Sequence, residues 1–127
     1  MVQQTRRDPT VAVVRCDAYD PDEVDAAVRR ALGLLGGIER FISSGERVLL
    51  KPNLLQGQDP ERCVTTHPTI VAAVARILAE HGCPALIADS PGAGVIYSEA
   101  NLRRAYSRAG YTAVAEETGA LLNYDTS

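Results

Sequence analysis

Four short apolar runs, separated by stretches whose apolar positions recur at helical spacing, constrain this chain more than any other feature. The runs fall at residues 11–14, 47–51, 85–88 and 120–124. Val11, Ala12, Val13 and Val14 form an almost wholly apolar, branched run, the pattern of a strand covered on both faces in a parallel sheet. Pro52 stops the second run, because it cannot donate to a ladder and it biases Lys51 away from helix. Asp89 ends the third.

The intervening stretches carry helix signals. Asp20 and Pro21 supply a cap and a first-turn proline; Val24, Ala27, Val28, Ala31, Leu32 and Leu35 then form a stripe opposite Asp22, Glu23, Asp25, Arg29 and Arg30, up to Gly36 and Gly37. A second helix is expected from Pro68, with Ile70, Val71, Val74, Ile77 and Leu78 inward and His81-Gly82 as its stop. Ser98 caps a third, with Leu102, Ala105, Tyr106 and Ala109 inward and Gly110 as its end; one more turn is expected at residues 112–118. Phe41 and Ile42 mark a connector expected to pack under the sheet.

Strand and helix in strict alternation predict an α/β fold: a mostly parallel sheet of about four strands with helices packed on it. A chain of 127 residues, 46% hydrophobic, is sized for one domain, expected over residues 11–127 after a flexible stretch at residues 1–10. It stops a few residues past the last run with no covering helix, as the N-terminal part of a larger domain would.

Composition narrows the function classes. A formal charge of -3 with scattered basic residues, Arg6-Arg7 being the one short pair, argues against a nucleic-acid surface. No stretch approaches the roughly 20 apolar residues of a membrane span, and the polar start lacks the apolar core of a signal peptide, so a cytoplasmic protein is expected. Cys16, Cys63 and Cys83 fit neither a disulfide framework nor a paired cysteine motif and read as reduced thiols, with Cys63 the one placed to be reactive.

Right-handed crossovers gather strand C-termini and helix N-termini on one sheet edge. Cys16, Lys51, Asn53, His67, Asp89, Ser90 and Ser98 are thereby expected to converge there. Lys51 could hold an anion or, if desolvated, act as nucleophile or base. Asn53 could orient a ligand or build the turn after Pro52. His67 is either the cap of its helix or an acid-base group beside it, and the helix dipole disfavours its charged form. Thr65 and Thr66 precede that helix, where hydroxyls and free backbone N–H groups suit an anion, or serve only as caps. Asp89 needs a cation, a metal or backbone donors if covered, and Lys51 is the nearest candidate. Gly92 and Gly94, in a Gly-Ala-Gly loop, sit where a dinucleotide fingerprint would, but Tyr97 occupies its third position, leaving close backbone approach or a plain turn.

The motifs Val-Leu-Leu-Lys-Pro-Asn-Leu-Leu from Val48, Val-Thr-Thr-His-Pro from Val64 and Ala-Asp-Ser-Pro-Gly from Ala88 resemble a bacterial and archaeal group, domain of unknown function family 362, over Val11 to about Tyr124. The resemblance implies the N-terminal part of an α/β domain of unassigned activity near redox centres. It makes Lys51, Asn53, Thr66, His67, Asp89 and Ser90 signature residues. Many members carry a ferredoxin-like iron-sulfur module further along, but this sequence has no cysteine run for a cluster, so the cofactor is unknown and no metal ligand is assigned. Three functions follow as expectations. The first is an enzyme-type site where Lys51 and the start of the Pro68 helix hold a small anionic molecule while His67 or Asp89 handles protons, with Asn53, Thr65, Thr66, Ser90, Gly92 and Gly94 as ligand-binding residues. The second is a docking module for a ferredoxin-like domain or subunit. The third is a structural fragment, which requires Lys51 and Asp89 in contact with no adjoining cavity.

Overall fold

A computed structural model of the chain describes residues 9–92, 94 and 96–127. The expected flexible stretch at residues 1–10, with Arg6-Arg7, therefore lies outside the described residues as far as Asp8, and so does Ala93 of the glycine loop. The elements are α1 (Pro21–Leu34), β1 (Val48–Leu50), α2 (Pro68–Glu80), β2 (Ala85–Ile87), α3 (Glu99–Arg108), α4 (Tyr111–Thr118) and β3 (Leu121–Leu122), with 3-10 turns at Ile38–Arg40 and Pro60–Arg62. The fold is α/β in character, around a parallel sheet in the order β1-β2-β3.

Local chemistry sets the helices. The Asp20 side chain accepts the N–H groups of Asp22 and Glu23 to start α1, and Ser98 accepts that of Asn101 to start α3. His67 starts α2 through its ring, and Pro68 fills the first helical position. Ala, Val, Ile and Leu bury α2 almost all round; it packs against both α1 and α4. Leu78, Ile87, Leu102 and Tyr106 are at most 2% exposed in one shared core, each aliphatic side chain there contributing roughly 1.5–3 kcal/mol.

Among the described residues the sheet has three strands rather than about four. The apolar run at residues 11–14 has no regular secondary structure, and Val11 and Val13 are 79% and 86% exposed. A strand is made by its ladder partner, and none of the backbone hydrogen bonds among the described residues reaches this run. The remaining strands are shorter than the runs that announced them, while the single turn expected at residues 112–118 is the whole of α4. Phe41 is 55% exposed rather than packed under the sheet; Ile42 alone joins the core.

Strands in sequence order joined by right-handed crossovers put both connections on one face, and α2 does pack against α4. Val48, Leu50, Ala85, Ile87 and Leu122 point into that side. The opposite face carries the cross-strand row Leu49, Leu86 and Leu121, of which Leu49 and Leu121 are 60% and 66% exposed.

Candidate functional site

Register brings Lys51 and Asp89 together. Leu50 pairs with Ile87 across β1 and β2, so the residues just past each strand leave the sheet side by side. The Lys51 Nζ lies 2.8 Å from Asp89 Oδ1. The two ends differ sharply in environment: the Asp89 side chain is 6% exposed and the Lys51 side chain 69%. The other carboxylate oxygen, Oδ2, accepts the backbone N–H of Leu54 at 2.9 Å, and Leu54 is fully buried. Asp89 thus anchors the loop after β1 and holds the lysine from below, while the ammonium stays at the surface.

Beside that ammonium is a cleft of about 150 Å3 lined by Leu50, Lys51, Pro52, Thr66, Ile70, Val71 and Val74. Its walls are apolar apart from one cation and one hydroxyl. The contact between Lys51 and Asp89 coexists with an adjoining cavity.

The loop from Lys51 to Thr66 closes on itself. Asn53 N–H donates to Thr66 Oγ1 at 2.9 Å, Thr66 N–H donates to the Asn53 carbonyl at 3.0 Å, and Asn53 Nδ2 donates to the Val64 carbonyl at 2.9 Å. The Asn53 amide is engaged in building this loop. Thr66 Oγ1 accepts one bond and keeps its own proton to give, so it is the hydroxyl available to a ligand in the cleft. Thr65 is buried, and its hydroxyl has no hydrogen-bond partner among the described residues.

His67 is the N-cap of α2. Its Nδ1 accepts the Thr69 N–H at 3.3 Å and lies 2.8 Å from Thr69 Oγ1. That geometry needs an unprotonated Nδ1, and burial lowers the imidazole pKa, slightly opposed by Glu61. The ring stacks on Tyr19, with centroids 3.9 Å apart and planes 10° from parallel. Pro68 has no N–H, and those of Ile70 and Val71 go to the His67 carbonyl. The first-turn amides are thus already bonded; an anion at this edge would meet Lys51 and the Thr66 hydroxyl.

Ser90 is exposed, and Gly94 is an exposed glycine at φ +78°. Gly92 N–H donates to the Leu55 carbonyl at 2.6 Å, tying the glycine loop to the loop after β1. Cys16 and Cys63 are exposed and Cys83 is buried, and among the described residues no three His, Cys, Asp or Glu side chains are grouped to hold a metal. The residues present do not fit a cluster.

Three contributors escaped the sequence reading. Tyr111, immersed in the core with its pKa pushed up to about 12 by burial, donates its hydroxyl to the Thr66 carbonyl at 2.8 Å and fixes the loop from behind. A buried tyrosine hydroxyl usually finds such a partner, which is the one signal that could have found it. Leu55, at φ +51°, takes a left-handed conformation rare for a bulky side chain, and no sequence pattern announces it. Tyr19 had no periodic context at all.

The family described as Domain of unknown function (DUF362) matches residues 48–127, which include β1 and every expected catalytic or ligand-binding residue but leave Cys16, α1 and the run at residues 11–14 outside. A thylakoid-associated protein of Synechocystis sp. is 42% identical over 85 residues, which is 67% of this chain and 26% of that protein. The chain thus spans about a quarter of the length of the curated relative it matches. No solved structure matches it significantly. No helix among the described residues is long and apolar enough to cross a membrane.

Proposed function

The chain belongs to the DUF362 family, and from that premise we propose that it binds a small amphipathic anion at the sheet edge. The carboxylate or phosphate end sits on Lys51 and the Thr66 hydroxyl, and the apolar body lies between Pro52, Ile70 and Val74. One observation carries the reading: an ammonium held from below by a nearly buried carboxylate, yet 69% exposed at the mouth of an apolar cleft. A lysine whose only task was to neutralise Asp89 would have no reason to border a cavity. In this reading Lys51 binds, Asp89 positions it, and His67 fixes the start of α2 beside the cleft. Proton transfer to a bound ligand, if the site is catalytic, falls to His67 or Asp89. A cytoplasmic setting goes with the proposal.

The test is a thermal-shift series with hexanoate, octanoate and hexyl phosphate on the wild type and on Lys51→Ala and Thr66→Val. A ligand that prefers the folded form raises its midpoint. The longer chains are expected to stabilise the wild type most, and Lys51→Ala to lose that gain. Equal stabilisation of wild type and Lys51→Ala by every one of these anions removes the proposal.

A second reading, a docking module for a ferredoxin-like iron-sulfur domain or subunit, is favoured by the row Leu49, Leu86 and Leu121, whose two outer members are exposed. Parallel sheets are normally covered on both faces. Substituting Leu49 and Leu121 with Ser would then abolish association with such a partner and leave anion binding intact.

A further inference from the structure

A second cavity, of about 210 Å3, lies between α3 and the loop that follows Leu55, and it shares no lining residue with the Lys51 cleft. Its helix wall is Asn101, Arg104, Ala105 and Arg108, which share one face because they lie three and four positions apart. Its other wall is Gln56, Gly57 and Gln58. The walls stand this close because residue 57 is glycine. At φ +63°, a Cβ there would lie 2.3 Å from the Ala105 Cα and 2.4 Å from its carbonyl oxygen. Behind the loop, Arg62 Nη1 reaches Gln58 Oε1 at 3.4 Å, and Gln58 Nε2 reaches Gln56 Oε1 at 3.3 Å, so a third guanidinium stands at the back of this wall.

Two cationic side chains, Arg104 and Arg108, line the cavity together. No carboxylate lines it, and among the described residues no ion pair engages Arg104 or Arg108, whereas Arg103 is paired with Glu99, Arg29 with Asp25 and Glu80, and Arg76 with Asp25 and Glu117. Arg108 alone would be explained by its place in the last turn of α3, where a cation complements the helix dipole. That accounts for neither Arg104 nor a concavity free of acids.

Guanidinium forks match the oxygen geometry of phosphate and carboxylate. The volume is below the roughly 300–1,000 Å3 of sites that enclose a whole drug-sized ligand, so it suits a head group. A phosphate group carries about -1.5 to -2 charge near neutral pH, which matches two arginines better than one carboxylate does. We propose that Arg104 and Arg108, closed in by the loop at Gln56, Gly57 and Gln58, form an oxyanion site that takes a phosphate group. The site is independent of the Lys51 cleft.

The experiment titrates the isotope-labelled protein with inorganic phosphate and, separately, with glycerol 3-phosphate, at constant ionic strength held by sodium chloride, and follows amide and arginine Nε resonances. Saturable shifts centred on Gly57, Gln58, Arg104 and Arg108 are expected. Arg104→Gln with Arg108→Gln should weaken the affinity by about tenfold or more, because charge-assisted hydrogen bonds are lost. Lys51→Ala should leave it unchanged. Tighter binding of glycerol 3-phosphate assigns the site to phosphate esters and equal binding assigns it to the free ion; either supports the site. Shifts that chloride alone reproduces, or that survive the double substitution, overturn it, as does loss of binding in Lys51→Ala only. Should the double variant fail to fold, the wild-type shift map decides: a pattern centred on Lys51 and Thr66 instead of Gly57 and Gln58 refutes the site.

Discussion

Removing the Asp89 side chain should cost far more than neutralising it, and the difference can be worked from two contacts. In Asp89→Ala the N–H of Leu54, a fully buried residue, loses its acceptor, a penalty of about 1–3 kcal/mol. Loss of the ion pair adds about 0–1 kcal/mol, because Lys51 is 69% exposed and water takes over its hydration. The total is about 1–4 kcal/mol. Asp89→Asn keeps a side-chain oxygen for Leu54 and forfeits only the charge, so about 1 kcal/mol or less is expected. Lys51→Ala leaves a nearly buried carboxylate with one backbone donor; a wholly buried broken pair costs about 3–5 kcal/mol, and the open lysine side brings this to about 1–2 kcal/mol. Once the carboxylate is an amide, the cation has nothing to neutralise, so Lys51→Ala added to Asp89→Asn should cost little more than Asp89→Asn alone. Urea unfolding at neutral pH, with the four variants compared at constant m, reads these values directly. If Asp89→Ala and Asp89→Asn are equally destabilising within about 0.5 kcal/mol, the loop anchor inferred for Asp89 is wrong.

Two further outcomes follow from the same structure. Gly57→Ala combines a left-handed φ of +63° with a Cβ driven onto the Ala105 backbone, and about 3 kcal/mol or more is expected. Gly94→Ala, at φ +78° with no described atom within 4 Å of the added Cβ, should cost only about 1 kcal/mol. Equal midpoints in urea for these two variants would refute the close approach of the loop to α3. For His67, burial holds the folded-state pKa below the ordinary value of 6.5, so its contribution is complete above that value and is lost as pH falls through the depressed folded pKa. Stability measured from pH 7.5 down to 5 should fall in the wild type, and the slope should shrink in His67→Asn, which can still cap the helix; identical slopes would count against a neutral imidazole cap.

How much was legible depended on the range of the forces involved. The starts of α1, α2 and α3 could be read because Asp20, His67 and Ser98 act on amides two or three residues away. The meeting of Lys51 and Asp89 could be read in outline, because the handedness of crossovers is common to parallel sheets. The run at residues 11–14 misled because its composition fits a buried strand while no described residue pairs with it, and pairing is a property of two segments. Asn53 and Thr66 were visible as polar residues near an edge, but their bonds to each other depend on how a long loop closes.

Sequence alone determined the alternation of helix with apolar run, the caps, and the edge of the sheet where polar residues collect, since these rest on near neighbours and chain chirality. Tertiary structure decided the rest: that the described residues form a three-stranded sheet with Leu49 and Leu121 exposed on one face, that Lys51 opens onto an apolar cleft while its partner is nearly buried, and that Gly57 lies against Ala105 in a cavity lined by Arg104 and Arg108. Those features arise where segments far apart in the chain touch, and the free energy of such contacts is set by burial and packing that no local pattern encodes.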